Sequence, residues 1–130
     1  MNRCGIDIVE IERIQKSREN TAFEQRIFAG SELELAEKNN RRPEFYAGRW
    51  AAKEAVAKAL GCGFGKDCSP NEIEVLNNEA GAPVLKLNGR AKQTAERLNI
   101  ISWSISITHE KHYAAAMVIA ESADREATEK

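Results

Sequence analysis

Apolar residues along this chain switch between a strand period and a helix period, and the switches mark its elements. Residues 4–9 (CGIDIV) are mostly apolar with two β-branched isoleucines, which predicts a short buried strand. Residues 10–19 place Ile11 and Ile14 on one helical face. Thr21 with Glu24, and Ser31 with Glu34, have the spacing of capping boxes that open the next two helices. Residues 44–60 form the longest predicted helix, starting after Pro43 and stopping at Gly61. Its core stripe is Phe45, Ala52, Val56, Ala59 and Leu60. GCGFG at 61–65 reads as a loop, and Ser69-Pro70-Asn71-Glu72 as a single helical turn. IEVL and PVLKL, split by a turn at 79–81, predict a hairpin, and 90–98 a short amphipathic helix. ISWSISI alternates, with Ile101, Trp103, Ile105 and Ile107 on one face and three serines on the other. YAAAMVIAE then returns as a strand. Helices alternating with antiparallel hairpins predict an α+β fold, helices packed on an antiparallel sheet. One domain is expected over 1–121, with a charged tail at 122–130.

Composition narrows the class. The chain has 130 residues and only 6% aromatics, so its core must come from Ile, Leu, Val and Ala. A domain this small leaves much surface exposed, which favours an oligomer. The net charge of -1 points neither to nucleic acid nor to a membrane surface. No signal-peptide pattern or membrane-spanning run is read. Cys4, Cys62 and Cys68 are a poor disulfide framework and suit a reducing cytoplasm. With His109 and His112, Cys62 and Cys68 match no common zinc spacing.

Several residues do not fit a plain core-and-surface pattern. Asp7 interrupts an apolar strand, where a carboxylate is paired, hydrogen-bonded or metal-bound. A strand-end Asp facing solvent or capping the next helix is the plainer alternative. Glu54 and Lys58 lie opposite the core stripe of the long helix. A solvated i,i+4 salt bridge accounts for them. Close packing by a ligand or another chain accounts for them equally, because Ala47, Ala51 and Ala55 surround them. The glycine loop offers backbone N–H groups to a phosphate. It lacks the dinucleotide and P-loop patterns, and it follows a helix C-terminus, where the dipole disfavours anions. His109 stands at the end of a strand beside Ser106 and Thr108, fit either for phosphate or for a turn.

Taken in order, these residues resemble one family. Gly5-Ile6-Asp7 comes first, then Arg49-Trp50-Ala51-Ala52-Lys53-Glu54-Ala55 with Lys58 and Gly61-Cys62-Gly63. Ser104-Ile105-Ser106-Ile107-Thr108-His109 and Tyr113-Ala114 follow. The pattern is similar to the small-subunit 4′-phosphopantetheinyl transferases of the holo-[acyl-carrier-protein] synthase type, from about Cys4 to Glu121. The resemblance implies a cytoplasmic homotrimer with active sites between subunits and a neighbouring chain against the alanine-rich face. It implies transfer of 4′-phosphopantetheine from coenzyme A to a serine of apo acyl carrier protein, releasing adenosine 3′,5′-bisphosphate, in fatty acid or polyketide synthesis. Asp7 and Glu54 match its magnesium ligands, and Lys58 a lysine beside the phosphates. Gly63, Gly81, Pro83, Ser106, Thr108 and His109 fall on the coenzyme A side, and Arg13 matches a residue of the carrier-docking helix. Ala82 stands where the family often has lysine. Glu34 matches an aspartate proposed as general base, which competes with its capping-box reading. Two other functions use the same residues: a metal-dependent coenzyme A pyrophosphohydrolase, and a non-catalytic carrier-protein-binding module.

Overall fold

The first strand runs straight into the first helix. In the computed structural model, which describes residues 1–123, β1 (Asn2–Glu10) leads into α1 (Ile11–Ser17), α2 (Thr21–Ile27) and α3 (Gly30–Lys38). The long α4 (Pro43–Leu60) comes next, then a 3₁₀ turn at Pro70–Glu72 and the hairpin β2 (Ile73–Asn77) and β3 (Pro83–Leu87). α5 (Gly89–Arg97), β4 (Ile100–His109) and β5 (Tyr113–Ser122) complete the order. The antiparallel sheet runs β1-β5-β4, with β2 and β3 as a separate antiparallel pair. The expected α+β fold, helices on antiparallel sheets, is the one found. Almost all of the expected tail lies outside the described residues. Among those described, no helix is long and apolar enough to cross a membrane.

α4 lies across β1 and β5, and the approach is close because the facing residues are small. Ala47, Ala51 and Ala55 are fully buried in the single chain. A Cβ on Gly5 would stand 1.9 Å from the Ala55 carbonyl oxygen, so only glycine lets β1 lie this near α4. This corrects the expectation that a neighbouring chain covers the alanine face: the chain's own first strand covers it. β1 is also only half-buried, with Ile6 and Ile8 on an open face. Gly61 ends α4 at φ 78°, the left-handed cap its sequence predicts.

The capping boxes are not the expected ones. Asn20 caps α2, its Oδ1 accepting from the N–H groups of Ala22 and Phe23. At α3, Glu32 rather than Glu34 accepts from the Ala29 N–H, while Ser31 Oγ donates to Glu74. A register shift between Ile100 and Ser102 also turns Ile101 outward, away from the face that Trp103, Ile105 and Ile107 pack on the core.

Candidate active site

Strand alternation puts Gly5 and Asp7 on the same face of β1. The close packing at Gly5 therefore delivers Asp7 to α4, where Glu54 and Lys58 sit one turn apart. Lys58 Nζ donates to Asp7 Oδ1 at 3.0 Å and to the Ile6 carbonyl at 3.0 Å. Of the two readings left open for Glu54 and Lys58, the i,i+4 bridge is not formed, and Lys58 pairs across elements with Asp7. Asp7 is not a solvated strand-end residue: its side chain is only 12% exposed, and Oδ2 is buried without a hydrogen-bond partner. Burial, followed by the negative charge of Asp7, pushes the Glu54 carboxyl up to about 7, although Lys58 pulls the other way.

Two carboxylates side by side, one with an orphaned buried oxygen, fit a hard divalent cation. Magnesium is commonly held by one or two carboxylates plus substrate phosphates, not by an all-protein cage. Among the described residues, no cluster of three or more His, Cys, Asp or Glu side chains that could hold a metal forms.

A cavity of about 520 Å³ opens beside the pair, lined by Asp7, Glu54, Arg13, Phe23 and Trp50. A second, of about 270 Å³, shares Glu54 and adds Lys58, Cys62, Gly63 and Phe64. Gly81, Pro83 and His109 gather elsewhere, around a cavity of about 300 Å³ at the start of α4. Ser106 and Thr108 lie on the open face of β4, registered against Met117 and Ala115. One chain thus carries two groups of the expected residues in separate cavities. Glu34 joins neither: it is exposed on α3 and lines none of these three cavities.

Sequence reasoning gives Arg49 no role of its own. Its guanidinium lies over the Phe45 ring and donates to the Val75 carbonyl and Asn77 Oδ1, on the wall of the His109 cavity. The missed signal is two charges, Arg49 and Lys53, one turn apart on a buried face of α4. Trp50 was quoted only as part of a motif. It stacks on Phe64 at 5.7 Å and meets Phe23 edge-on, forming the aromatic wall of the Asp7 cavity.

Comparison with known proteins gives the family. Residues 3–118 match the model of the 4′-phosphopantetheinyl transferase superfamily. A holo-[acyl-carrier-protein] synthase from Hydrogenovibrio crunogenus is 43% identical over 120 residues, 91% of this chain and 94% of that protein. The Helicobacter pylori holo-[acyl-carrier-protein] synthase, solved in complex with coenzyme A, is 36% identical at a TM-score of 0.80, covering 91% of this chain and 99% of its own. The Bacillus anthracis enzyme, in complex with coenzyme A (3′,5′-ADP), is 39% identical at 0.77, covering 93% and 96%. The chain belongs to the 4′-phosphopantetheinyl transferase superfamily and, within it, to the holo-[acyl-carrier-protein] synthases.

Proposed function

We propose that this chain moves 4′-phosphopantetheine from coenzyme A to a serine hydroxyl of an apo acyl carrier protein, and that Asp7, Glu54 and Lys58 hold the reacting phosphates. The observation that carries the reading is the Asp7–Glu54 pair with Lys58 at 3.0 Å, open to a cavity. Asp7 and Glu54 would hold magnesium, which when bound supplies Lewis-acid polarisation of a phosphate oxygen. Lys58, more than half exposed, is free to turn from Asp7 to charge growing on the leaving phosphate. Gly63 lies beside Lys58 for a close backbone approach. Adenosine 3′,5′-bisphosphate is the leaving product.

The incoming serine must give up its proton. Glu34, the base that the resemblance names, is exposed on α3 and lines neither cavity beside Glu54. Glu54 is already committed to magnesium beside Asp7, so a water held at that pair would take the proton. Arg13, on the rim of the same cavity, would meet an acidic carrier protein.

Gly81, Pro83 and His109 would take the nucleotide end from a second copy of the chain. Ile6, Ile8, Met117 and Ile119 form an exposed apolar sheet face that such assembly would cover, in keeping with a homotrimer. Three free thiols suit a reducing cytoplasm.

The test is mass spectrometry of an apo carrier protein incubated with this protein, coenzyme A and magnesium. A gain equal to phosphopantetheine is expected. Cleavage of coenzyme A without that gain indicates a pyrophosphohydrolase, and carrier binding without chemistry indicates a docking module.

A further inference from the structure

The loop that follows α4 holds two cysteines that the reaction does not use. Cys62 Sγ and Cys68 Sγ lie 3.3 Å apart. The loop between them is closed by its own backbone, with the Gly65 N–H donating to the Cys68 carbonyl at 2.8 Å. Cys68 is fully buried and lies 3.7 Å from the Gly63 carbonyl, whereas Cys62 is partly open and lines the cavity shared by Lys58 and Glu54. Phe64, within the same loop, stacks on Trp50. The pairing is therefore a dithiol on the wall of the candidate active site.

We propose that Cys62 and Cys68 are a redox modification site that exchanges with small-molecule disulfides, and that the bond they form sets the position of the loop beside Lys58. A disulfide needs its sulfurs about 2.05 Å apart, so the loop must tighten by roughly 1 Å. The Cys62 thiolate, reachable from the cavity, attacks one sulfur of the small disulfide. A mixed disulfide forms on Cys62, and one small thiolate leaves. The Cys68 thiolate then attacks the Cys62 sulfur and expels the second small thiolate. Two electrons pass to the small molecule, and the two cysteine protons end on the two released thiols. Burial, then hydrogen bonding with Cys62, pushes the Cys68 thiol up to about 12, which leaves the first attack to Cys62. Once Cys62 is in the mixed disulfide its share of that shift is gone, and Cys68 stands 3.3 Å from the sulfur it attacks. Closing the bond removes the S–H that Cys68 offers the Gly63 carbonyl and draws Cys62 away from the cavity wall.

The full chain is incubated with oxidised glutathione, then denatured, alkylated with iodoacetamide and weighed. One alkylated cysteine, Cys4, is expected in place of three, with a peptide linking Cys62 to Cys68, reversed by reduced glutathione. Cys68→Ser is expected to trap glutathione on Cys62. Three alkylations after oxidation, or glutathione on both cysteines without a link, overturn the proposal. Trp50 fluorescence is expected to change on oxidation and to recover on reduction. The effect on function rests on the coenzyme A reading: the KM for coenzyme A is expected to rise in the oxidised protein, and an unchanged KM overturns the coupling to Lys58. A protein that transfers nothing in either state fails the functional reading, while the thiol count still decides the redox site.

Discussion

Lys53 Nζ donates to Glu32 Oε1 at 2.6 Å, and neither side chain is open to solvent. Lys53 also donates to the carbonyls of Pro70 and Ile73, while Glu32 accepts from the N–H groups of Ala29 and Val75. One ion pair thus joins α3, α4, the 3₁₀ turn and β2, and it fixes the helix that carries Glu54 at the next position. Burial lowers the Lys53 pKa, and the Glu32 charge opposes that shift.

Removing one partner should cost far more than the pair is worth. Lys53→Met leaves the Glu32 charge buried, and a loss of about 3–5 kcal/mol is expected from urea unfolding. Lys53→Met with Glu32→Gln leaves no buried charge and should recover part of that loss. A single variant as stable as the parent overturns the account.

The Asp7–Glu54 pair predicts opposite effects on activity and stability. Asp7→Asn and Glu54→Gln keep size but remove a negative ligand, so each is expected to abolish most transfer while leaving the fold intact. The Glu54 carboxyl titrates near 7 when folded, above its ordinary value of about 4.3 when unfolded. The folded state therefore binds more protons in that window, and stability falls as pH rises through it. Melting temperature without metal should drop between about pH 5 and pH 7.5, and Glu54→Gln should flatten the drop. Magnesium should stabilise more at the upper end, where it meets fewer protons. A melting curve equally pH-dependent in Glu54→Gln would remove this role for Glu54.

The open sheet face predicts the oligomeric state. Met117 sits in the central strand, registered against Ile6 and Ser106. Sedimentation equilibrium should give a trimer, and Met117→Glu should yield folded monomers that have lost transfer. A monomeric parent protein at micromolar concentration would overturn the shared-site reading.

The site was legible where a residue contradicted its own neighbourhood. Asp7 in an apolar strand and Glu54 with Lys58 among alanines both drew attention before any fold was known, and Pro43 with Gly61 marked the ends of α4. Long-range pairing was not legible. Glu32 and Lys53 are 21 positions apart and look like surface charges until β2 and the 3₁₀ turn close over them. The alanine face was misassigned for the same reason, because the glycine that fits against it lies on a distant strand. Capping failed on a local competition: Asn20, one residue before Thr21, supplies the acceptor for α2.

Arg13 stands exposed on α1, on the rim of the Asp7 cavity, and forms none of the salt bridges among the described residues. A pair with Glu10 would have made it structural, and that pair is not formed. Arg13→Glu is therefore expected to raise the KM for the carrier protein, more at low salt than at high, with little change for coenzyme A. An unchanged KM for the carrier protein at low salt would place the docking surface elsewhere.

Glu34 provides the sharpest separation of base from scaffold. Its cap role is not taken up, because the helix starts at Gly30 with Glu32 accepting from the Ala29 N–H, and Ser31 turns to Glu74. Its base role requires it to reach the reacting serine, yet it is exposed on α3 and lines none of the three cavities that hold the other site residues. Glu34→Gln removes the proton acceptor and keeps the length and polarity of the side chain. With the proton passed to water at the Asp7–Glu54 pair, kcat and melting temperature should both stay close to those of the parent protein, and the pH dependence of kcat should be unaltered. A large fall in kcat at unchanged melting temperature would move the base to α3. Such a result would also require the serine to approach from that surface, which carrier-protein titrations with Arg13→Glu would then fail to disturb.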